Sequence, residues 1–176
     1  MIKNIIARRY SVALINAFQP DEFKTLENEV DNFIKFLRDN VEIEEFLISP
    51  VAENKFKIEI ISKLAEGLKI CEKFNNFLII LVDKDRIYFL KDICREIINQ
   101  IHQKLNIYDF QLLTAHSIDS ETIKKINNFV NHYVSGEVRL KHSIDKRIKG
   151  GFLVYNKNLA INASIKNSLS NFKREF

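Results

Sequence analysis

Residues 144–169 read IDKRIKGGFLVYNKNLAINASIKNSL. Gly150 and Gly151 form a structural turn, a break that calls for positive φ or close backbone approach. Beyond them, residues 152–155 and 159–163 are short β runs facing each other across Asn156, Lys157 and Asn158. Asn and Lys suit a tight hairpin connection, although the usual Gly is missing. Ser164 can cap a last basic helix that carries Lys166, Lys173 and Arg174.

Working outward, residues 108–115 and 137–142 read as strands, the second alternating through Val138, Leu140 and His142. Residues 119–134 between them form a helical pattern, with Asp119 or Ser120 as its cap and Ile123, Ile126 and Val130 as its stripe. Upstream of Asn106 the period is helical throughout. Phe23, Leu26, Val30, Phe33, Ile34 and Leu37 align on one face. Phe56, Ile60, Ile61 and Leu64 form another stripe, ended by Gly67, and Phe74, Phe77, Leu78 and Leu81 a further one. A short helix around Phe46 and Leu47, a long one from Leu90 to Leu105 and an N-terminal one complete six. The expectation is a mainly α protein: a six-helix bundle over residues 1–105, then a small α+β domain over 106–176.

The bulk numbers allow this. The chain has 176 residues, 46% hydrophobic and 28% charged, which suits folded domains with modest cores. Its net charge of +4 comes from 27 basic and 23 acidic residues that are interspersed rather than gathered on one face, so no nucleic acid partner is expected. Lys3, Arg8 and Arg9 precede any acid, as in a transit peptide, but the segment is poor in Ser and reads as mature helix. Cys71 and Cys94 do not make a disulfide framework and are read as buried thiols. The longest apolar run, 77–82, is far short of the ~20 residues that span a bilayer, leaving membrane association to partners.

No catalytic arrangement emerges. Gly150-Gly151 lacks the spacing of a phosphate-wrapping loop. His142, Ser143 and Asp145 resemble a triad only on paper, because neighbours on a strand point to opposite faces. His102, His116, His132 and His142 are scattered, with no metal-ligand spacing. Neither metal nor cofactor is expected.

Two helices hold more apolar residues than one core requires. A surface helix needs a single apolar stripe, yet the first carries Ile5, Ile6, Ala7, Tyr10, Val12, Ala13, Leu14, Ile15, Ala17 and Phe18. The fifth has Ile79, Ile80 and Val82 besides its core stripe. Either both helices lie centrally, or a groove between them accepts an amphipathic helix through Tyr10, Leu14 and Ala17 on one side and Asn76 and Ile80 on the other. On the second reading, Leu14→Asp is expected to abolish docking and leave the bundle folded.

The 144–169 stretch resembles the C-terminal signature of the delta subunit of F-type ATP synthase, whose mitochondrial counterpart is the oligomycin-sensitivity-conferring protein. That signature runs Ile-Asp, Gly-Gly, apolar strand, polar turn, Ile-Asp-x-Ser. Residues 7–14, ARRYSVAL, resemble the family's opening Ala-Arg-x-Tyr-Ala-x-Ala-Leu. Phe46-Leu47, Ser49-Pro50 and Lys55 are similar to its Leu-x-x-Pro followed by a lysine-bearing helix. Asn162 stands where the family often has Asp, and Lys146 where it often has Pro. The resemblance implies a non-catalytic stator subunit, present once per complex. It implies that the groove holds the N-terminal helix of one alpha subunit, and that the C-terminal domain clasps the b subunits of the peripheral stalk. It implies a peripheral location, on the cytoplasmic face of a bacterial membrane or, alternatively, the matrix side in mitochondria. A helical adaptor of another complex and an RNA-binding accessory protein are the competing readings.

Overall fold

The computed structural model describes residues 2–157 and 159–164. The expected last helix, with Lys166, Lys173 and Arg174, and position Asn158 lie outside the described residues. The chain divides into two compact units, Met1–Lys104 and Leu105–Phe176.

The first unit is helical: α1 (Ile2–Ile15), α2 (Phe23–Asp39), α3 (Val41–Ile48), α4 (Asn54–Leu68), α5 (Glu72–Asp83) and α6 (Leu90–Lys104), with single 3-10 turns before α2 and before α6. Most of the expected α2 stripe is inside, with Leu26, Val30 and Phe33 0% exposed, whereas Ile34 is only half-buried. It packs against α6, where Ile93, Cys94, Ile97 and Ile101 are likewise 0% exposed. α1 packs against α6 as well. There the buried Ser11 hydroxyl donates to Arg8 O at 3.0 Å and accepts from Gln100 Nε2 at 2.6 Å, so neither helix leaves a polar group orphaned at that contact.

α4 corrects the expected stripe. Ile61 is buried as expected, but Phe56 is 51% exposed, Ile60 and Leu64 are only half-buried, and Lys57 and Ala65 take inward positions beside Ile61. Lys57 can sit there because its Nζ donates to Ser49 O at 2.6 Å, satisfying a carbonyl at the end of α3. Gly67 lies within the last turn of α4; the left-handed cap is Lys69, φ 55°. Cys94 is buried, its thiol pushed up to about 12 by desolvation. Cys71 is only half-buried, because it is the residue that starts α5 rather than part of its stripe.

A second buried polar pair ties α6 to α2. His102 Nε2 and Glu27 Oε1 lie 2.8 Å apart, both nearly closed off from solvent. Both occupy core-stripe positions, Glu27 four residues after Phe23 and His102 directly after Ile101. Their partnership spans 75 residues and so leaves no local signature.

The second unit comprises β1 (Ile107–Thr114), α7 (Ser120–Asn131), β2 (Glu137–Ile144), β3 (Gly151–Tyr155) and β4 (Ala160–Ser164). The sheet order is β2-β1-β3-β4, with β1 parallel to β2 and antiparallel to β3. Asp119 caps α7, its carboxylate accepting from Thr122 N at 3.3 Å. One face of the sheet, Phe110, Leu112, Val138 and Val154, closes on Ile126 and Val130 of α7. The mainly α architecture with a small α+β unit is thus the observed one.

Of the two adjacent glycines, Gly151 has positive φ, +77°. A Cβ there would meet Ala163 O at 2.2 Å, so the β3–β4 pairing starts only with a bare α-carbon. Gly136, which the sequence reading did not single out, opens β2 just as tightly: a Cβ would stand 2.0 Å from Asn106 O.

The loop between β2 and β3 is organised by one carboxylate. Asp145 accepts from the Arg147 guanidinium at 2.7 and 3.0 Å and from Arg147 N at 3.0 Å. The Arg147 side-chain bonds, then that backbone bond, lower its pKa from 3.8 to about 2. A carboxyl lowered by folding stabilises the folded form above its unfolded value, near 4, and that contribution is lost as pH falls through about 2. Arg147→Ala should return the Asp145 carboxyl toward 3.8, read by carboxyl-carbon NMR titration; an unmoved midpoint would mean that Arg147 is not its partner.

Candidate functional site

Helix α1 shows two apolar faces. Ala7, Ser11, Leu14 and Ile15 form the buried one, continued by Phe18 in the turn after the helix. Beside it run Ile6, Tyr10 and Ala13, at steps of four and three, followed by Ala17 in the turn after the helix, the first two half-buried and the last two exposed. The opposite flank holds Arg8, Arg9 and Asn16, interrupted by Ile5 and Val12.

Helix α5 buries Phe74, Phe77, Leu78, Leu81 and Val82. Val82, expected among the excess apolar residues, is therefore core. Beside the buried face, Lys73, Asn76 and Ile80 stand exposed at steps of three and four, with Lys84 one further turn along. Ile80 is 48% exposed, far above what an apolar core side chain shows.

Three contacts align the two helices. Lys73 Nζ lies 4.8 Å from the Phe18 ring centroid, the Tyr10 and Phe77 rings meet edge-on at 6.5 Å, and Lys3 Nζ lies 5.6 Å from the Tyr88 centroid. As numbers fall along α1, their partners rise along α5 and into the turn after it, so the helices run antiparallel. The stripe Ile6, Tyr10, Ala13, Ala17 and the stripe Lys73, Asn76, Ile80 flank the ring pair. These two exposed stripes border an open strip of surface, the α1–α5 trough, no longer than the shorter helix, about 18 Å for 12 residues.

Of the residues expected to bind a partner, Tyr10, Ala17, Asn76 and Ile80 are at least partly exposed along this trough. Leu14 is 3% exposed and points into the bundle. That corrects the expectation that Leu14→Asp would leave the bundle folded, since a charge there would be buried without a partner.

The trough ends differ. Near Phe18, Lys73 Nζ bridges to both Glu22 carboxylate oxygens at 2.9 Å, and Gln19 N donates to Glu22 at 2.7 Å. The Gln19 amide first, then Lys73, lowers the Glu22 pKa. Cys71 N donates to Glu29 at 3.0 Å beside it, and Glu72 lines the same hollow.

In the second unit, His142 shares a face with Thr114, and Ser143 points the other way, so no nucleophile–base pair forms. The Thr114 hydroxyl donates to His116 O at 2.6 Å, which leaves it only lone pairs for His142 Nε2 at 2.7 Å; that nitrogen therefore holds the proton. His142 is a structural clasp across the β1–β2 pair. Among the described residues, no helix is long and apolar enough to cross a membrane.

Comparison with known proteins converges on one family. The family model described as ATP synthase delta (OSCP) subunit matches residues 6–176. ATP synthase subunit delta of Rickettsia bellii is 29% identical over 171 residues, 96% of this chain and 90% of that protein. The same subunit of Rickettsia africae is 27% identical over 175 residues, 99% and 95% of the two chains. Among solved structures, a chain in the cryo-EM structure of the Toxoplasma gondii mitochondrial ATP synthase hexamer superposes with a TM-score of 0.69. The match covers 96% of both chains at 16% identity, a likeness of fold.

Proposed function

Because the chain belongs to the ATP synthase delta (OSCP) subunit family, we propose that its α1–α5 trough receives the N-terminal helix of one alpha subunit of the catalytic head. The subunit is a non-catalytic part of the stator of an F-type ATP synthase, peripheral to that membrane-bound complex. Its task is mechanical: the head must not turn with the rotor while ions drive ATP synthesis.

The observation that carries the docking site is the exposed stripe on each of two adjacent helices, meeting at the Tyr10–Phe77 ring pair. A core position would not leave Ile80 half in solvent, and a solvated face would not repeat apolar residues at 6, 10, 13 and 17. An amphipathic helix seats anchors at i, i+3, i+4 and i+7 in such a trough.

The second unit, residues 106–176, then grips the b subunits of the peripheral stalk, and the bundle, residues 1–105, grips the head. One helix in a groove buries less than a standard interface of ~1,600 Å², so two attachments in one complex hold the head by avidity. One copy per complex suffices, on the cytoplasmic face of a bacterial membrane.

Calorimetric titration of the full chain with a peptide of the alpha subunit's first ~20 residues, about 30 Å of helix, tests the reading. The expected result is saturable one-to-one binding. No heat and no chemical-shift change with a demonstrably folded chain would reject it, and the chain's partner would then bind elsewhere.

A further inference from the structure

The positive excess of the chain sits in one unit. Residues 1–104 carry sixteen bases against seventeen acids, and residues 105–176 carry eleven against six. Within the second unit the described acids are already engaged. Glu121 bridges to Lys125 at 2.8 Å, Glu137 to Arg139 at 2.9 Å and Asp145 to Arg147 at 2.7 Å. Asp119 caps α7, and Asp109 has a partner as well. Lys124, Lys141, Lys146, Lys149 and Lys157 have no acid within bridging distance among the described residues. A surface with this excess draws in a negatively charged partner and repels a basic one.

The same unit exposes two aromatic rings that its core does not use. The inward stripe of α7, Ile126 and Val130, already closes on Phe110, Leu112, Val138 and Val154. Phe129 lies beside that stripe and Tyr133 follows in the turn after the helix, and they are 41% and 55% exposed. The Phe129 ring meets Tyr133 edge-on at 5.3 Å and the half-buried Phe152 of β3 at 6.1 Å. Rings braced against one another and against the sheet lose little freedom when a partner covers them. Such aromatic anchors carry a large share of the energy in protein interfaces.

We propose that the Phe129–Tyr133 ledge is where the second unit takes the peripheral stalk, and that the stalk presents to it an acidic segment with apolar anchors. This rests on the reading of residues 106–176 as the stalk-binding unit. The rings supply the area that binding buries. The unpaired lysines select acid-rich sequence around the anchors, acting on encounter more than on final affinity, because an exposed ion pair adds little by itself.

The test uses the full chain, labelled with nitrogen-15, and the purified b subunit of the same synthase. Binding should shift the amides of residues 129–134 and 150–153, and affinity should fall severalfold from about 0.05 to 0.5 M salt. Tyr133→Ser, at a side chain already in water, should keep the wild-type melt and weaken binding tenfold or more. Phe129→Ser should weaken it as much, with a small loss of melting temperature. Shifts elsewhere in residues 105–164, with full affinity in both variants, overturn the ledge and leave the stalk reading standing. No shift anywhere in the second unit overturns the stalk reading itself. Affinity indifferent to salt overturns the acidic partner, and unfolding of both variants returns the rings to the core. Three other occupants also count against the proposal. The chain's own residues 165–176 would show Overhauser contacts to the Phe129 ring in the free chain. A second copy would show as dimerisation that Tyr133→Ser abolishes, and RNA as tight binding that shifts the same amides.

Discussion

Gly151→Ala should unfold the C-terminal unit and leave the helical bundle standing. The residue holds φ at +77°, where a Cβ costs about 1–2 kcal/mol, and the added atom would lie 2.2 Å from Ala163 O. The only relief is to push β4 off β3, which removes the Gly151–Ser164 end of that pairing. A loss of about 3 kcal/mol or more is a large part of what a unit this small possesses. Amide signals from residues 107–155 should lose dispersion, and those of α2 and α6 should keep theirs. A variant whose sheet signals are unchanged would show that the β3 start tolerates a side chain.

The second large effect separates the core of α1 from its docking stripe. Leu14→Asp should unfold the bundle: it gives up roughly 1.5–3 kcal/mol of apolar burial and places a carboxyl where nothing can pair with it. Together these approach the whole stability of a typical domain, about 5–15 kcal/mol. Ala17→Asp and Ile80→Asp should leave the melting curve nearly unchanged, because both side chains already face water. On the proposed function each should weaken alpha-peptide binding tenfold or more, about 1.4 kcal/mol. Circular dichroism melts and calorimetry on the three variants distinguish the cases. Unchanged binding by the two exposed variants would move the docking site off this trough, and a cooperative wild-type melt for Leu14→Asp would move Leu14 out of the core.

Much of the helical architecture was legible because burial in a bundle repeats every 3.6 residues. Phe23, Leu26, Val30, Phe33, Ile34 and Leu37 announce α2, and all but the half-buried Ile34 are buried. The hairpin was legible from two short β runs around an Asn turn, where Asn156 now accepts from Leu159 N at 2.8 Å. Periodicity found Ile61 on α4 but turned its inward face too far toward Phe56, because Lys57 looks polar in sequence and becomes core only through a carbonyl eight residues away. It also placed Leu14 and Ala17 together on one expected surface, although the packing of α1 against α6 buries the first and leaves the second in water.

The sequence by itself determined the element order, the change from helical to strand rhythm near Asn106, the family resemblance and the excess of apolar residues on two helices. All of these are local patterns or ordered motifs that a one-dimensional string preserves. Only the tertiary structure decided which apolar faces remain open, that α1 and α5 lie antiparallel with Tyr10 on Phe77, that Glu27 meets His102 and that Thr114 meets His142. The reason is physical: each depends on residues tens of positions apart being brought within a few ångströms. Local propensity cannot encode that proximity, and only the closing of the core fixes it.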